Sequence, residues 1–547
     1  MTQPVTDSQS RLTHGVKVLR LLSPVEWGVL LAGLVGWLCL ITCGLTPPAG
    51  STDVYCFRDP AINLLLHRGF TTASYVLSRS FRPVLYSTNT PLSGLTYLPF
   101  AWIFGAGSTS AQLYYLTLAA IADAACVLLI LRIAPRGRIR TVLIFLLALT
   151  LPFGLLGSEL DRPENLSFLL LLLLLLVLGR QKLSAIAVAG TIAGIAFLSE
   201  PFAGVVGGLL TAGAVFCGAL EAAQATTARA HLFLTRSIWL LLWFLIPIAA
   251  TAGIFFRQDP GSLNRFLHHA DFVVSRGTKG GDPVTSLTGD GTDEHLEVGL
   301  SRYGNAVRFY RMMGPVTMLR VGVFALILLA WIGLCFRAKG KGRSRLALFG
   351  LGAILLVLPV VAFPVQENYL ILDACLIPFT LLLNWCGCTE ALRDWRCAAV
   401  LALAADLLVL LPGGAIRLMQ GIEGRRSYEQ AQAQVRLLHA YLLSHYHYGN
   451  VVLVPASEYY LYKPLIPDIF NPDYLSPDHD PQQVEAVVNC NRGTKYFAPL
   501  EQPLPQIAEG SGMVLIAAGV DQVPITLFHR RVMSRNWTWS CDIYVRP

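Results

Sequence analysis

The chain has 547 residues, of which 54% are hydrophobic and only 14% charged, with a mean hydropathy of +0.54. Soluble domains carry about 25% charged residues, so this composition excludes a freely soluble enzyme for most of the length. The formal net charge of +8 does not mark a nucleic-acid binder, because Lys and Arg fall in short clusters between apolar runs, as in loops held on the cytoplasmic side of a membrane. The N-terminal tail is polar and basic (Arg11, Lys17, Arg20) and leads into an apolar run over 27–46. That run supplies the roughly 20 residues a spanning helix needs and reads as a retained first span, not a cleaved signal.

Further apolar runs lie near 91–105, 112–133, 141–157, 166–179, 184–199, 202–220, 237–256, 315–336, 346–363, 369–386 and 397–412. Backbone groups inside a bilayer have no water to bond, so these runs are expected as helices. The basic loops are 132–140, 180–182, 229–236, 337–345 and 393–396. Holding all of them inside leaves 47–90, 158–165, 257–314, 364–368 and everything after 413 outside. An odd number of crossings must then separate residues 90 and 134, although two runs lie between them. The run 91–105 is short and contains Pro91 and Pro99, so it is expected as a partial insertion. The count is then about 11 full crossings, with 13 as the upper reading.

After 413 the pattern changes. Val435, Leu438 and Leu442 recur at helical spacing within 427–447, and Gly449 ends that run. Short β-like runs follow at 451–454, 495–497, 513–517 and 525–528, with 482–488 read as a helix between two of them. The chain holds twelve Cys. Cys126, Cys217 and Cys335 lie inside apolar runs and act as small hydrophobes. No CxxC pair is followed by a His or Cys partner at zinc spacing. Cys490 and Cys541 are free to pair if their domain is outside, which their spacing leaves open. The expected architecture is therefore an α-helical polytopic membrane domain over 1–413 and an extracytoplasmic α/β domain over 414–547.

The chemistry-bearing residues concentrate in the outer loops. Asp53 and Asp59 flank Arg58 just after the first span, and a carboxylate there can act as a general base. Taken alone, an acidic loop residue is more often a solvated charge. Here, however, Asp53-Val54-Tyr55 is followed in order by Ala61, the triplet Leu64 to Leu66, Arg68-Gly69 and Tyr75. Tyr86, Thr90-Pro91-Leu92 and Tyr97-Leu98-Pro99 come next. This order resembles the first outer loop of the C-type (GT-C) integral membrane glycosyltransferases, closest to the bacterial branches that use polyprenyl-phosphate-linked sugars. The resemblance covers roughly the first 200 residues and the general layout.

The resemblance implies an enzyme that moves a sugar from a polyprenyl phosphate to a lipid, glycan or protein acceptor. The transfer would occur on the periplasmic face of a bacterial inner membrane, with inversion at the anomeric carbon. Asp53 is the expected base, with Asp59 as the alternative. The second outer loop supplies Asp161, Arg162 and Glu164, where an acidic residue and an Arg are expected; Arg162 would grip a phosphate oxygen. Arg58 and Arg82 are further phosphate-holding candidates, and Tyr55 lines the same loop.

Two positions depart from the family pattern. Glu200 stands where a Lys facing the lipid phosphate is usual, and Tyr369 follows Gln366-Glu367-Asn368 where an Arg-Tyr pair is common. Both are carried as substrate-lining candidates. No resident cofactor and no metal site are expected, with a divalent ion left open. His268 and His269 are adjacent, which is not ligand spacing on a helix face. Two rival readings are a lipid or glycan flippase and a degenerate assembly partner. A flippase would need charges along a path inside the membrane; few lie within the apolar runs, and Asp123, Asp373 and Asp406 are isolated there.

Overall fold

The computed structural model describes residues 22–44, 54–73, 91–133, 137–157, 163–178, 182–222, 226–258, 428–445, 451–472, 481–490, 512–519 and 541–547, with short strands and single positions between them. The expected spans at 346–363, 369–386 and 397–412, the β-like run 495–497, and Asp373 and Asp406 lie outside these residues, as does most of 257–314 and of 315–336.

The described chain is mainly helical, with a small sheet near the C-terminus. The membrane-type part runs α1 (Pro24–Gly44), two short helices α2 (Val54–Phe57) and α3 (Asp59–Leu65), and a two-stranded ribbon β1 (Thr71–Thr72) and β2 (Val84–Leu85). It continues with α4 (Leu92–Phe104), α5 (Ser108–Ile133), α6 (Arg138–Gly157), α7 (Glu164–Val177), α8 (Leu183–Ser199), α9 (Pro201–Ala222) and α10 (Thr226–Gln258). The helices follow the apolar runs closely. Three are long and apolar enough to cross a membrane over Ser108–Leu131, Ala203–Leu220 and Thr227–Ile254.

One boundary differs from expectation. The basic stretch 229–236 is not a loop but the start of α10, which begins at Thr226. Its 33 residues extend about 50 Å, well beyond a hydrocarbon core of about 30 Å. Arg229, His231 and Arg236 therefore ride on the first turns of a helix longer than the core is thick.

The short run 91–105 becomes α4, 13 residues long and about 20 Å. Both of its ends meet structures that belong together. A Cβ on Gly94 would lie 3.1 Å from the Phe57 carbonyl oxygen, and one on Gly107, just past the helix, 3.6 Å from Pro464 of the C-terminal domain. Trp102, Ile103 and Phe104 are exposed near its far end.

Two close packings hold the helices in register. Ser23 and Glu26 form a reciprocal capping box: Ser23 N donates to Glu26 Oε2 (2.7 Å) and Glu26 N to Ser23 Oγ (3.3 Å). The same carboxylate receives a two-pronged bond from Arg140 at the start of α6, at 2.7 and 2.9 Å. This pair is buried and puts the N-termini of α1 and α6 at one level, as expected if the basic tail and the 132–140 loop share a side. Farther along, Gly190 and Gly194 lie one turn apart on α8. A Cβ on Gly194 would sit 2.3 Å from the Phe244 carbonyl oxygen, and one on Gly190 2.7 Å from that of Leu240. The small-xxx-small spacing lets α10 approach backbone to backbone.

The C-terminal domain has a helix α11 (428–445) over a five-stranded mixed sheet of order β4-β3-β5-β9-β6. Its strands are β3 (Val451–Leu453), β4 (Ile469–Phe470), β5 (Val484–Asn489), β6 (Val514–Ala517) and β9 (Asp542–Val545). A short helix, α12 (Tyr459–Tyr462), follows β3, and a separate ribbon pairs β7 (Thr526–Leu527) with β8 (Arg530–Arg531). β3 runs parallel to β4 and β5, whereas β9 is antiparallel to both β5 and β6.

The segment 482–488, expected as a helix, is a 3-10 turn over Pro481–Gln483 that leads into β5, the central strand. Val484, Ala486, Val487 and Val488 are all buried. A strand covered on both faces shows no alternation, and its β-branched residues then decide the outcome. Gln434 of α11 ties the sheet together, donating to the Ala518 carbonyl (2.9 Å) and accepting from Cys541 N (3.1 Å). Cys490 and Cys541 form a disulfide across β5 and β9.

Arg140→Met would leave the Glu26 carboxylate buried without its partner, a change that costs on the order of 3–5 kcal/mol. Thermal unfolding in detergent is expected to show that loss, with much of it recovered in a Glu26→Gln/Arg140→Met double variant. Equal stability of the single variant and wild type would contradict this role for the pair.

Candidate functional site

The first outer segment, 54–73, is not a solvated loop. Its backbone turns at Arg58 between α2 and α3, then reverses through left-handed conformations at His67 (φ 59°) and Gly69 (φ 75°) into β1. Val54, Tyr55, Arg58, Asp59, Ala61, Ile62 and Asn63 are all at most 1% exposed.

The segment is closed by the C-terminal domain. Asp59 Oδ1 accepts from the Lys463 ammonium and from the Tyr459 hydroxyl, each at 2.7 Å. Its Oδ2 accepts from Asn63 Nδ2 (2.9 Å) and Ala73 N (2.8 Å). Lys463 Nζ donates further to Asn63 Oδ1 (2.9 Å) and to the Pro467 carbonyl (3.0 Å), which occupies all three of its protons. Tyr55 donates to the Val454 carbonyl (2.9 Å) and meets the Tyr459 ring edge-on at 4.9 Å. At the exposed margin, Arg68 grips Asp468 with two nitrogens.

Burial pushes the Tyr459 phenol well above the ordinary tyrosine value of 10, and the nearby Asp59 charge pushes in the same direction. Tyr459 therefore remains a donor at neutral pH. Its contribution is complete below about pH 10, where an unfolded tyrosine ionises, and is lost as pH rises from there toward the folded value.

On the other side of the segment, Arg58 lies between two aromatic faces. Its guanidinium carbon is 5.3 Å from the Tyr97 ring centre and 4.8 Å from that of Tyr114. Its Nη1 donates to the Ser93 carbonyl and hydroxyl, both at 2.8 Å. Tyr114 bonds Thr96 (2.8 Å) and Tyr97 bonds Ser110 (2.6 Å). The next residue on α5, Tyr115, packs against Tyr114 at 5.8 Å and receives a bond from Asn165 Nδ2 at 3.4 Å. Asn165 lies at the start of α7, directly after the second outer loop. Ser199, at the end of α8, pins the same corner by donating to the Pro163 carbonyl (3.1 Å) and meeting Ser167 (3.2 Å). Arg58 of the first outer segment and Asn165, just after the second outer loop, thus rest on adjacent tyrosines near the start of α5.

Several expected site residues fall outside the described residues: Asp53, Arg82, Asp161, Arg162 and Tyr369. Glu164 is the first residue of α7, and its side chain is also outside the description. Asp59, expected as the alternative base, is buried with both oxygens engaged by protein donors and joins two parts of the chain. Tyr55 is likewise turned into the interface.

Arg58 is 1% exposed and enclosed by Tyr97, Tyr114 and Ser93. Glu200 ends α8, and its carboxylate accepts from Ala203 N at 2.9 Å, which is the capping role of a helix-end charge. Among the described residues, one group of three potential metal ligands lies close together, Glu458, Cys490 and Cys541; its two sulfurs are bonded to each other and offer no thiolate.

Lys463, Tyr459 and Asn63 were not singled out from the sequence. The first two lie in Glu458 to Lys463 (EYYLYK), where a Lys amid apolar aromatics is the available signal of a buried charge.

No family model matches the sequence, and neither does any curated protein. Two solved structures of the Archaeoglobus fulgidus oligosaccharyltransferase are similar. One is tethered to an acceptor peptide containing the NVT sequon (12% identity, TM-score 0.41, covering 90% of this chain and 72% of that one). The other is the apo form (13% identity, TM-score 0.43, covering 88% and 72%).

Asp59→Asn would leave the Lys463 ammonium buried without a counter-charge, at about 3–5 kcal/mol. Tyr459→Phe removes one bond to a charged group, about 1.5–3 kcal/mol. Unfolding midpoints are expected in the order wild type, Tyr459→Phe, Asp59→Asn; a wild-type midpoint for Asp59→Asn would show that the carboxylate is not the hub of this interface.

Proposed function

We propose that the chain is an integral membrane glycosyltransferase of the GT-C kind, transferring a sugar from a polyprenyl-phosphate donor to an acceptor at the outer membrane face. The observation that carries this reading is the convergence of the two outer loops. The segment that begins at Val54, next to Asp53, and the segment that begins at Pro163, next to Asp161 and Arg162, are anchored on Tyr114 and Tyr115 of α5. A transferase needs its base and its phosphate-binding cations within reach of one reacting centre, and this anchoring brings the flanks of both candidate groups to the same corner. The order of the first-loop motif from Asp53 to Pro99 supports the same reading.

In the proposed reaction Asp53 takes the proton of the acceptor nucleophile, and Arg162 and Arg82 hold the lipid phosphate. As the bond from the anomeric carbon to the phosphate oxygen breaks, negative charge grows on the leaving phosphate, and fixed cations there stabilise the transition state. Attack from the face opposite the phosphate gives inversion. Asp59 and Arg58 contribute no proton transfer; they hold the segment that follows Asp53 in the chain. The C-terminal domain covers this segment and presents the acceptor. The proposal invokes no resident cofactor.

Membranes containing the protein, incubated with a panel of labelled prenyl-phosphate sugars, are expected to release prenyl phosphate and form a labelled product. Asp53→Asn is expected to lower turnover roughly 10²–10⁴-fold, the usual contribution of a general base, with donor KM and membrane insertion unchanged. Wild-type turnover in Asp53→Asn would remove that residue from the mechanism, and transport of intact donor without cleavage would favour a flippase.

A further inference from the structure

The buried network between the first outer segment and the C-terminal domain has a consequence for catalysis beyond holding the two together. We infer that Lys463 is a positioning residue for the proposed transfer reaction: the C-terminal domain sets the first outer segment through it, and the segment is not competent without it. The inference rests on the transferase reading above and adds a residue and a mode of control to it.

Three observations support it. First, Lys463 and Asp59 are both essentially inaccessible, at 1% and 0% side-chain exposure. Each uses its full bonding capacity on the other or on immediate neighbours, so the pair has one satisfied arrangement and no partly open one. A buried polar network of this kind fixes geometry more than it adds stability.

Second, the network acts on a short lever. Asp59 starts α3, and one residue earlier, Arg58, is clamped by Tyr97 and Tyr114. α2 fits between this clamp and the C-terminal domain, with Tyr55 bonded to the Val454 carbonyl and its own carbonyl accepting from Thr72 Oγ1. The stretch from Val54 to Asp59 is therefore held at Tyr55 and again at Arg58 and Asp59. Asp53 is the residue directly before it.

Third, the two partners come from opposite ends of the chain. The Tyr459 and Lys463 contacts each span 400 residues, so the segment gains its final position only when the C-terminal domain is folded and docked. The disulfide between Cys490, just after β5, and Cys541, just before β9, ties together two neighbouring strands of the sheet that also contains β3, which α12 follows.

The test uses the full-length protein in membranes or detergent. Lys463→Met keeps the length of the aliphatic stem and removes the charge. The Asp59→Asn/Lys463→Met variant removes both charges and leaves no buried ion unpaired, so it serves if the single variant folds poorly. Both are expected to reach the membrane and bind the prenyl-phosphate donor with unchanged KM. Both are expected to lose kcat by roughly 10²-fold, the scale of a misplacement of about 1 Å.

Amide hydrogen exchange over a peptide spanning 51–57 is expected to accelerate in both variants. Wild-type kcat in the double variant, or unchanged exchange of that peptide in both, overturns the positioning role, and lowered stability with normal kcat reduces Lys463 to a structural contact. A wild-type protein that transfers no sugar from any donor sinks the transferase reading instead, while the exchange measurement still decides whether Lys463 sets this segment.

Discussion

A carboxylate and an ammonium are buried against each other between two parts of the chain that the sequence keeps far apart. Desolvating two charges is costly, and an ion pair offsets the cost only when its geometry is good and the remaining lone pairs and protons are bonded. Asp59 and Lys463 meet that condition: Tyr459, Asn63, Ala73 and the Pro467 carbonyl take up the rest. The surrounding structure follows from it. Tyr55 and Tyr459 close over the pair, Arg68 and Asp468 join at its rim, and Asn471 N bonds the Ala73 carbonyl (3.3 Å) at the end of the segment. A register shift between the two parts would strand a charge in an apolar interior, so the docking has one solution.

The opposite face of the same segment is fixed by different means. Arg58 is held by the faces of two aromatic rings and by Ser93, an arrangement suited to a weakly hydrated, planar cation. Through Tyr114 and Tyr115 this clamp extends to Asn165 and the end of the second outer loop. Behind it, Gly190 and Gly194 bring α8 and α10 into backbone contact, and Ser199 bonds the turn before α7. This corner is thus backed by closely packed helices, and the described residues Arg58 and Asn165 are held there by ring contacts and hydrogen bonds.

Much of the helical framework was legible from apolar runs, because helix is the conformation that satisfies backbone groups within a bilayer. The starts and ends of α5 to α9 follow those runs within a few residues. The start of α10 did not, since Arg229 and Arg236 read as loop residues while their backbone continues the helix. In the C-terminal domain the exposed helix 428–445 was legible from its spacing, and so were the strands at 451–454 and 513–517. β5 was misread, because a central strand buried on both faces carries no alternation. β9 was missed, because Asp542 to Val545 becomes a strand only by pairing with β5 and β6.

By itself the sequence determined the composition class, the run of helices, the change to a mixed domain after 413 and the order of the first-loop motif, all of which depend on local residue type and periodicity. The tertiary structure alone decided the surroundings of Arg58 and Asp59. Asp53, Arg58 and Asp59 are equivalent as loop charges when read along the chain. What separates Asp59 and Arg58 from a solvated charge is which distant groups reach them: Lys463 and Tyr459 in one case, Tyr97 and Tyr114 in the other. A side chain's chemistry depends on its burial and partners, and contacts spanning 400 residues leave no mark in local spacing.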